Sequence, residues 1–175
     1  MDRDGAAFAR LALPHLDAAY NLARWLLRDP VAAEDVVQDA MLRALTYFAS
    51  FRGANPRAWL LQIVRNAAHD RLAAAARARE VPLVMHDDED ETAVNEPADP
   101  ADDPETALSR RQDRAALAAA LAALPVELRE CLVLRELEEM SYRDIAEVTG
   151  VPVGTVMSRL WRARRALLCR GEAQA

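Results

Sequence analysis

The chain has 175 residues, 52% of them hydrophobic, and a formal net charge of −6. That length allows one domain or two small ones, and a composition rich in Ala, Leu and Arg with only five Gly favours helix throughout. No apolar run approaches a membrane span and the N-terminus has no basic-then-apolar leader pattern, so a cytoplasmic protein without membrane insertion is expected.

Charge is unevenly placed. Residues 1–80 carry 11 Arg against 9 acids, and residues 108–175 again carry 11 against 9. Residues 81–107 carry 10 acids and no Arg. The acidity therefore sits in one segment between two mildly basic ones, and a negative total does not argue against nucleic acid. Two cysteines, Cys131 and Cys169, lie far apart without a CxxC, and the histidines His15, His69 and His86 are scattered. Metal or disulfide chemistry is not expected. No Gly-rich phosphate loop or nucleophile–base set appears, so no enzyme, cofactor or small-molecule substrate is expected either.

In chain order, residues 5–28 read as helix, with Phe8, Leu11, Tyr20, Ala23 and Leu26 or Leu27 along an apolar side and Pro14 kinking or restarting it. Asp29-Pro30 pairs an N-cap with proline at the first helical position and starts a helix reaching about Phe48. On it Asp35, Gln38, Asp39 and Leu42 recur at three- and four-residue intervals and line one side. Acids in a first turn complement the helix dipole, which accounts for Glu34. Gln38 and Asp39 lie deeper, and an acidic stripe with an apolar edge equally suits docking on an Arg-rich helix. Residues 49–55 form a loop, and Asn55-Pro56 starts a third helix over about 56–78. Its Arg57, Arg65, Arg71, Arg77 and Arg79, after a loop of Phe, Arg and Gly, suit single-stranded nucleic acid. Trp59 by itself fits a core position better than a stacking one.

Residues 81–107 hold Asp87-Asp-Glu-Asp-Glu91 and then Pro97, Pro100 and Pro104 among acids, and cannot build an apolar face. About 25 residues without a core signal separate two domains. The segment is either a solubilising tether or an anionic strand for a positively charged channel. Helix resumes from Pro104 to Ala123, with Leu108, Ala115 or Ala116, Leu117 and Leu121 inward, and Leu124-Pro125 restarts it to about Leu137.

The stretch Ser141–Leu167 then reads as a short helix, a tight turn and a longer basic helix. Ser141 and Asp144 have capping-box spacing, Gly150 can take the left-handed backbone that ends the first helix, and Pro152 suits the start of the second. Ile145 and Ala146 would pack inward. On the second helix Val156, Leu160, Ala163 and Leu167 share one face; Thr155, Ser158, Trp161, Arg162 and Arg165 lie opposite, with Arg159 and Arg164 at the boundary. A helix so divided suits a major groove, its guanidinium and hydroxyl groups outward and its aliphatic seam held by the domain.

These stretches in this order resemble the extracytoplasmic-function (ECF) sigma factors. Ala33–Asp39 is similar to the region 2 helix of that family, Ala58–Asn66 to its next helix, and Leu124–Arg135 with Ser141–Leu167 to region 4. The resemblance implies an all-α chain of two small helical domains, residues 1–80 (region 2-like) and 108–175 (region 4-like helix-turn-helix), joined by a flexible acidic linker over 81–107. It implies that Asp35, Gln38, Asp39 and Leu42 dock on the β′ clamp helices of core RNA polymerase, with the β flap a further contact. It implies −10 promoter DNA near Phe51, Arg52, Asn55, Trp59, Asn66 and Arg71, a base being held out of the stack there. The −35 element would meet Thr155, Ser158, Arg159, Arg162, Arg164 and Arg165. The linker would thread the active-site cleft and RNA exit path. An anti-sigma factor is the expected regulator, with no appended C-terminal module. Many members have Lys at the place of Met157 and His or Lys at that of Trp161, so the −35 sequence stays open. The competing readings are a polymerase-independent helix-turn-helix regulator, which leaves Asp35, Gln38 and Asp39 unexplained, and a sigma mimic that sequesters an anti-sigma factor, which does not need an Arg-bearing DNA face.

Overall fold

A computed structural model describes residues 2–80 and 115–172, and the acidic segment 81–107 and Leu108 lie outside the described residues. The architecture is all-α. Helices α1 (Asp2–Ala12), α2 (Leu16–Leu27), α3 (Pro30–Tyr47) and α4 (Pro56–Glu80) make an N-terminal group. The C-terminal group comprises the described part of α5 (115–122), then α6 (Val126–Glu136), α7 (Tyr142–Thr149) and α8 (Val153–Glu172). Pro14 breaks the first expected helix in two, leaving a 3-10 turn at Leu13–His15. Proline lacks the N–H that a helix interior needs, so the chain restarts at Leu16.

The capping signals act as the local physics requires. Asp29 accepts from the Val31 and Ala32 amides and holds the open N-terminus of α3. Asn55 does the same for α4 through Ala58. Ser141 accepts from the Asp144 amide, and its own hydroxyl donates to the Asp144 carboxylate at 2.6 Å. Gly150 ends α7 at φ 70°, where a side chain would be strained. The inner face of α8 is Val156, Leu160 and Ala163, all essentially inaccessible, with Leu167 half-buried beside them. Ile145 is fully buried and Ala146 packs at the edge of the same cluster. Two expected inward positions differ: Leu117 is 54% exposed, and Ala115 and Ala116, one of which is expected inward, are both exposed, so Leu121 and Leu124 anchor this part of the chain.

The two helix groups share one core. Its apolar cluster runs from Leu22, Leu26, Val36 and Leu61 through to Leu134, Ile145 and Leu160, because α2 packs on α6 and α4 packs on α7. Helix α6 is consequently enclosed: six consecutive residues, Arg129 to Leu134, are buried. A smaller cluster of Phe8, Ala12, Ala44 and Leu60 ties α1 to α3 and α4, with Phe8 edge-on to Phe48 at 5.6 Å.

Replacing Gly150 by Val is expected to destabilise the chain by roughly 1–2 kcal/mol, since the left-handed backbone is costly for a residue with a Cβ. A lowered urea midpoint at unchanged slope is the measurement that checks it.

Candidate polymerase and promoter interface

On α3 the buried face is Ala and Val, namely Ala33, Val36, Val37, Ala40 and Ala44. Its opposite face leaves Asp35, Gln38 and Asp39 exposed, followed by Leu42 at 66% exposure. Asp39 pairs with Arg43 one turn on at 2.8 Å, and Asp35 lies 3.5 Å from Arg71 of α4. Both are exposed ion pairs, of the kind that contributes at most about 1 kcal/mol and yields readily to a better partner. An apolar Leu standing out of an acidic stripe is what a helix-docking surface needs.

The loop between α3 and α4 is shaped by an aromatic pair. The rings of Phe51 and Trp59 lie 4.6 Å apart, centroid to centroid, tilted by 31°. Trp59 is half-buried, one side on the core cluster and one on Phe51. A Cβ at Gly53 would fall 2.8 Å from the Phe51 ring and displace it, so Gly lets the ring lie over the loop. Arg52 donates to the Ala49 and Phe51 carbonyls and folds over the loop. Leu11, Leu45, Phe48, Ala49, Phe51 and Arg52 line an open depression of about 360 Å³. Asn66 and Arg71 lie further along α4, exposed, and not at this depression.

On α8, Ser158, Trp161, Arg162, Arg164 and Arg165 are exposed and Thr155 half-exposed. Arg165 lies over the Trp161 ring at 5.2 Å, a cation–π contact that braces both outward side chains. Arg164 donates to Glu136 at 2.6 Å. Arg159 is different. Its side chain is 15% exposed and donates to Glu130 at 3.1 Å.

Glu130 was not legible as a site residue. Its carboxylate is fully buried on α6 and receives three cationic or imidazole groups: Arg65 at 2.9 and 3.2 Å, His69 Nε2 at 2.8 Å and Arg159 at 3.1 Å. Burial alone would push this carboxyl up, but the hydrogen bonds and charge of His69 and Arg65 outweigh it and hold the group below its ordinary 4.5. The neighbouring Cys131 thiol is pushed up by burial and by the Glu130 charge, with Arg159 opposing. Arg65 and His69 belong to α4 and Arg159 to α8, so one carboxylate joins the two helix groups.

Other cross-links repeat the pattern. Glu138, buried, accepts from Arg57 at 2.6 Å and Asn21 at 3.1 Å. It follows the end of α6 and precedes Glu139, whose φ of 52° turns the chain toward α7. Asp144 accepts from the Asn55 side chain at 2.8 Å. The Glu147 carbonyl accepts from Gln62, and the Leu26 carbonyl, in the last turn of α2, accepts from Arg129. Asn55 is thus occupied on both sides of its amide. Arg57 and Arg65, read from the sequence as arginines for nucleic acid, are taken up by Glu138 and Glu130, and the roles of His69, Glu130 and Glu138 escaped sequence reading because helix periodicity reports burial, not which distant charge a buried carboxylate meets.

Residues 11–78 match Sigma-70 region 2 and residues 114–167 match Sigma-70, region 4. The chain is 34% identical over 165 residues to the RNA polymerase sigma-H factor of Pseudomonas aeruginosa, covering 94% of this chain and 86% of that protein. This chain belongs to the ECF sigma factors. It is 39% identical over 165 residues to the ECF RNA polymerase sigma factor SigM of Mycobacterium tuberculosis, covering 94% and 76% of the two chains. Among solved structures it resembles the sigma factor RpoE in complex with the anti-sigma factor NepR from Bartonella quintana, with a TM-score of 0.73, 26% identity and coverage of 97% and 99%. The sigma factor is accordingly a transcription regulator that directs core RNA polymerase to promoter DNA. Among the described residues no helix is long and apolar enough to cross a membrane.

A carboxyl held low by its partners stabilises the fold fully above its unfolded value and loses that contribution as pH falls through the folded one. Glu130→Gln is therefore expected to cost about 3 kcal/mol near neutrality, from cations left facing a neutral group. The gap between variant and parent should narrow as pH drops below 4.5. Urea titrations at a series of pH values give both numbers.

Proposed function

We propose that this sigma factor engages polymerase through the acidic face of α3 and reads promoter DNA with two separate surfaces. The observation that carries the reading is the continuous exposed stripe Asp35, Gln38, Asp39 and Leu42, set opposite a fully buried Ala/Val face. Among the described residues Asp35 and Asp39 meet only the exposed ion pairs with Arg71 and Arg43, and Leu42 stands out beside them, an arrangement that suits a coiled-coil clamp helix of the β′ subunit. The unit over residues 1–80 takes the −10 element, with Phe51 and Arg52 at the depression, Trp59 against the Phe51 ring, Asn55 at the helix start, and Asn66 and Arg71 along α4. The depression of about 360 Å³ is of a size to take an extruded base, lined by Phe48, Phe51 and Arg52. The unit over 108–175 takes the −35 element with Thr155, Ser158, Arg162, Arg164 and Arg165, and with Arg159 once it leaves Glu130. The β flap is its polymerase contact.

The linker over 81–107, with 10 acids and no Arg, suits a cationic channel of the enzyme. Control by an anti-sigma factor is supported by the fold shared with RpoE in its complex with NepR. A cytoplasmic location follows from work on the chromosome.

Run-off transcription with core polymerase on a library of genomic promoter fragments tests the assignment. Asp39→Arg should abolish core binding, since it places a cation against an Arg-rich partner. Arg162→Ala should retain core binding and weaken −35-dependent initiation about tenfold, as expected for one lost base or phosphate contact. Normal core binding by Asp39→Arg would refute the docking face.

A further inference from the structure

The N-terminal half of α8 carries little free charge. Its first six residues, Val153–Ser158, are uncharged, and the Arg159 guanidinium that follows is held by Glu130 at 3.1 Å. What this half turns outward is largely apolar: Met157 is 53% exposed and Trp161, one turn on, 60%. Both lie off the face of Val156, Leu160 and Ala163 that holds α8 to the core. Residues four apart on a helix are neighbours, so the thioether and the indole form one exposed apolar strip. The strip has polar margins. Ser158 and Arg162, each next in sequence to a member of the strip, are exposed, and the Arg165 guanidinium lies over the Trp161 ring at 5.2 Å. An apolar strip bordered by cations suits a polyanion that offers an apolar group at its centre.

We infer that Met157 and Trp161 are specificity-determining residues that read thymine in the −35 element through its C5-methyl group. The inference rests on the reading of α8 as the −35 helix and adds which base pairs that helix selects. A helix-turn-helix unit contacts base edges with the N-terminal part of its second helix, where both residues stand. Among the groups that a major groove presents, the thymine methyl is the apolar one. Against a G·C edge the same side chains would take donors and acceptors out of water without pairing them. The indole N–H of Trp161 finds acceptors on an A·T pair as well, at adenine N7 and thymine O4. The two residues are separated by about 6 Å along the helix axis, or about two base-pair steps, so they meet separate pairs. Ser158, Arg162 and Arg165 beside them supply the hydrogen bonds and phosphate contacts that an apolar strip cannot.

Deoxyuridine in place of thymine removes that methyl and leaves every hydrogen-bonding group. The −35 segment is taken from promoter fragments that the holoenzyme transcribes, and each thymine on either strand is replaced singly. Open-complex formation by the parent holoenzyme should fall about fourfold at each of two positions about two base pairs apart, the effect of one buried carbon each. Met157→Ala should be insensitive to uracil at one of these positions and Trp161→Ala at the other, each keeping the parent's response elsewhere. General damage to α8 would weaken every template alike and would not give this exchange. A −35-dependent holoenzyme with no uracil-sensitive position would overturn the inference and leave the strip to a protein partner. Uracil sensitivity unchanged in both variants would overturn the assignment to Met157 and Trp161. Transcription indifferent both to the −35 segment and to Arg162→Ala would instead remove the reading of α8, and this inference with it.

Discussion

The structure depends on a carboxylate taken out of water. Removing Glu130 from solvent costs several kcal/mol, and only converging positive groups can offset that. Arg65 supplies two parallel hydrogen bonds, His69 a third and Arg159 a fourth. Because these come from α4 and α8, α6 cannot be placed without fixing both neighbours. The apolar cluster around it, from Leu26 to Leu160, supplies the bulk of burial. Hydrophobic contact is not directional, so it is the carboxylate that sets the register of α6 between the helices.

A division of labour along α4 follows. One side meets the C-terminal acids and another carries Asn66 and Arg71 into solvent. Arg71 touches Asp35, so the side of α4 that is free of the C-terminal group lies beside the acidic stripe of α3. On the proposed assignment, the polymerase-docking face of α3 and the −10 surface of α4 are neighbours, and docking on Asp35 would leave Arg71 without its acid. On that assignment, coupling between core binding and DNA contact would need no long path, since one exposed ion pair lies between the two surfaces.

Much of this was readable in the sequence where the cause is local. Asp29-Pro30, Ser141 with Asp144, and Gly150 place helix ends through hydrogen bonds spanning two to four residues, and the alternation on α8 follows from its period. What sequence left open was set at long range. Glu130 sits among Cys131, Leu132, Val133 and Leu134 and is indistinguishable in pattern from a solvent-facing glutamate of an amphipathic helix. Its burial arises because α6 is packed on two sides, by α2 and by α8. Arg159 at the boundary of the α8 wheel was ambiguous for the same reason: the wheel gives its angle, and only the partner tells which way it turns. Leu117, read as inward, is exposed because Leu121 and Leu124 take the buried positions.

The chemistry of the interface decides whether two groups with one core can separate. Apolar surface shared by α2 with α6 and α4 with α7 favours closure regardless of partner. The polar contacts act differently, since each of Arg57, Arg65 and Asn55 can exchange a carboxylate for a phosphate or for water when the groups part. Glu130 holds Arg159 inside the C-terminal group and Arg65 and His69 across the boundary. Among the described residues the Glu138 side chain meets only Arg57 and Asn21, both across the boundary, while its amide donates to the Val133 carbonyl at the end of α6. Charge complementarity therefore fixes which faces of the two groups meet, in addition to the apolar area that holds them together.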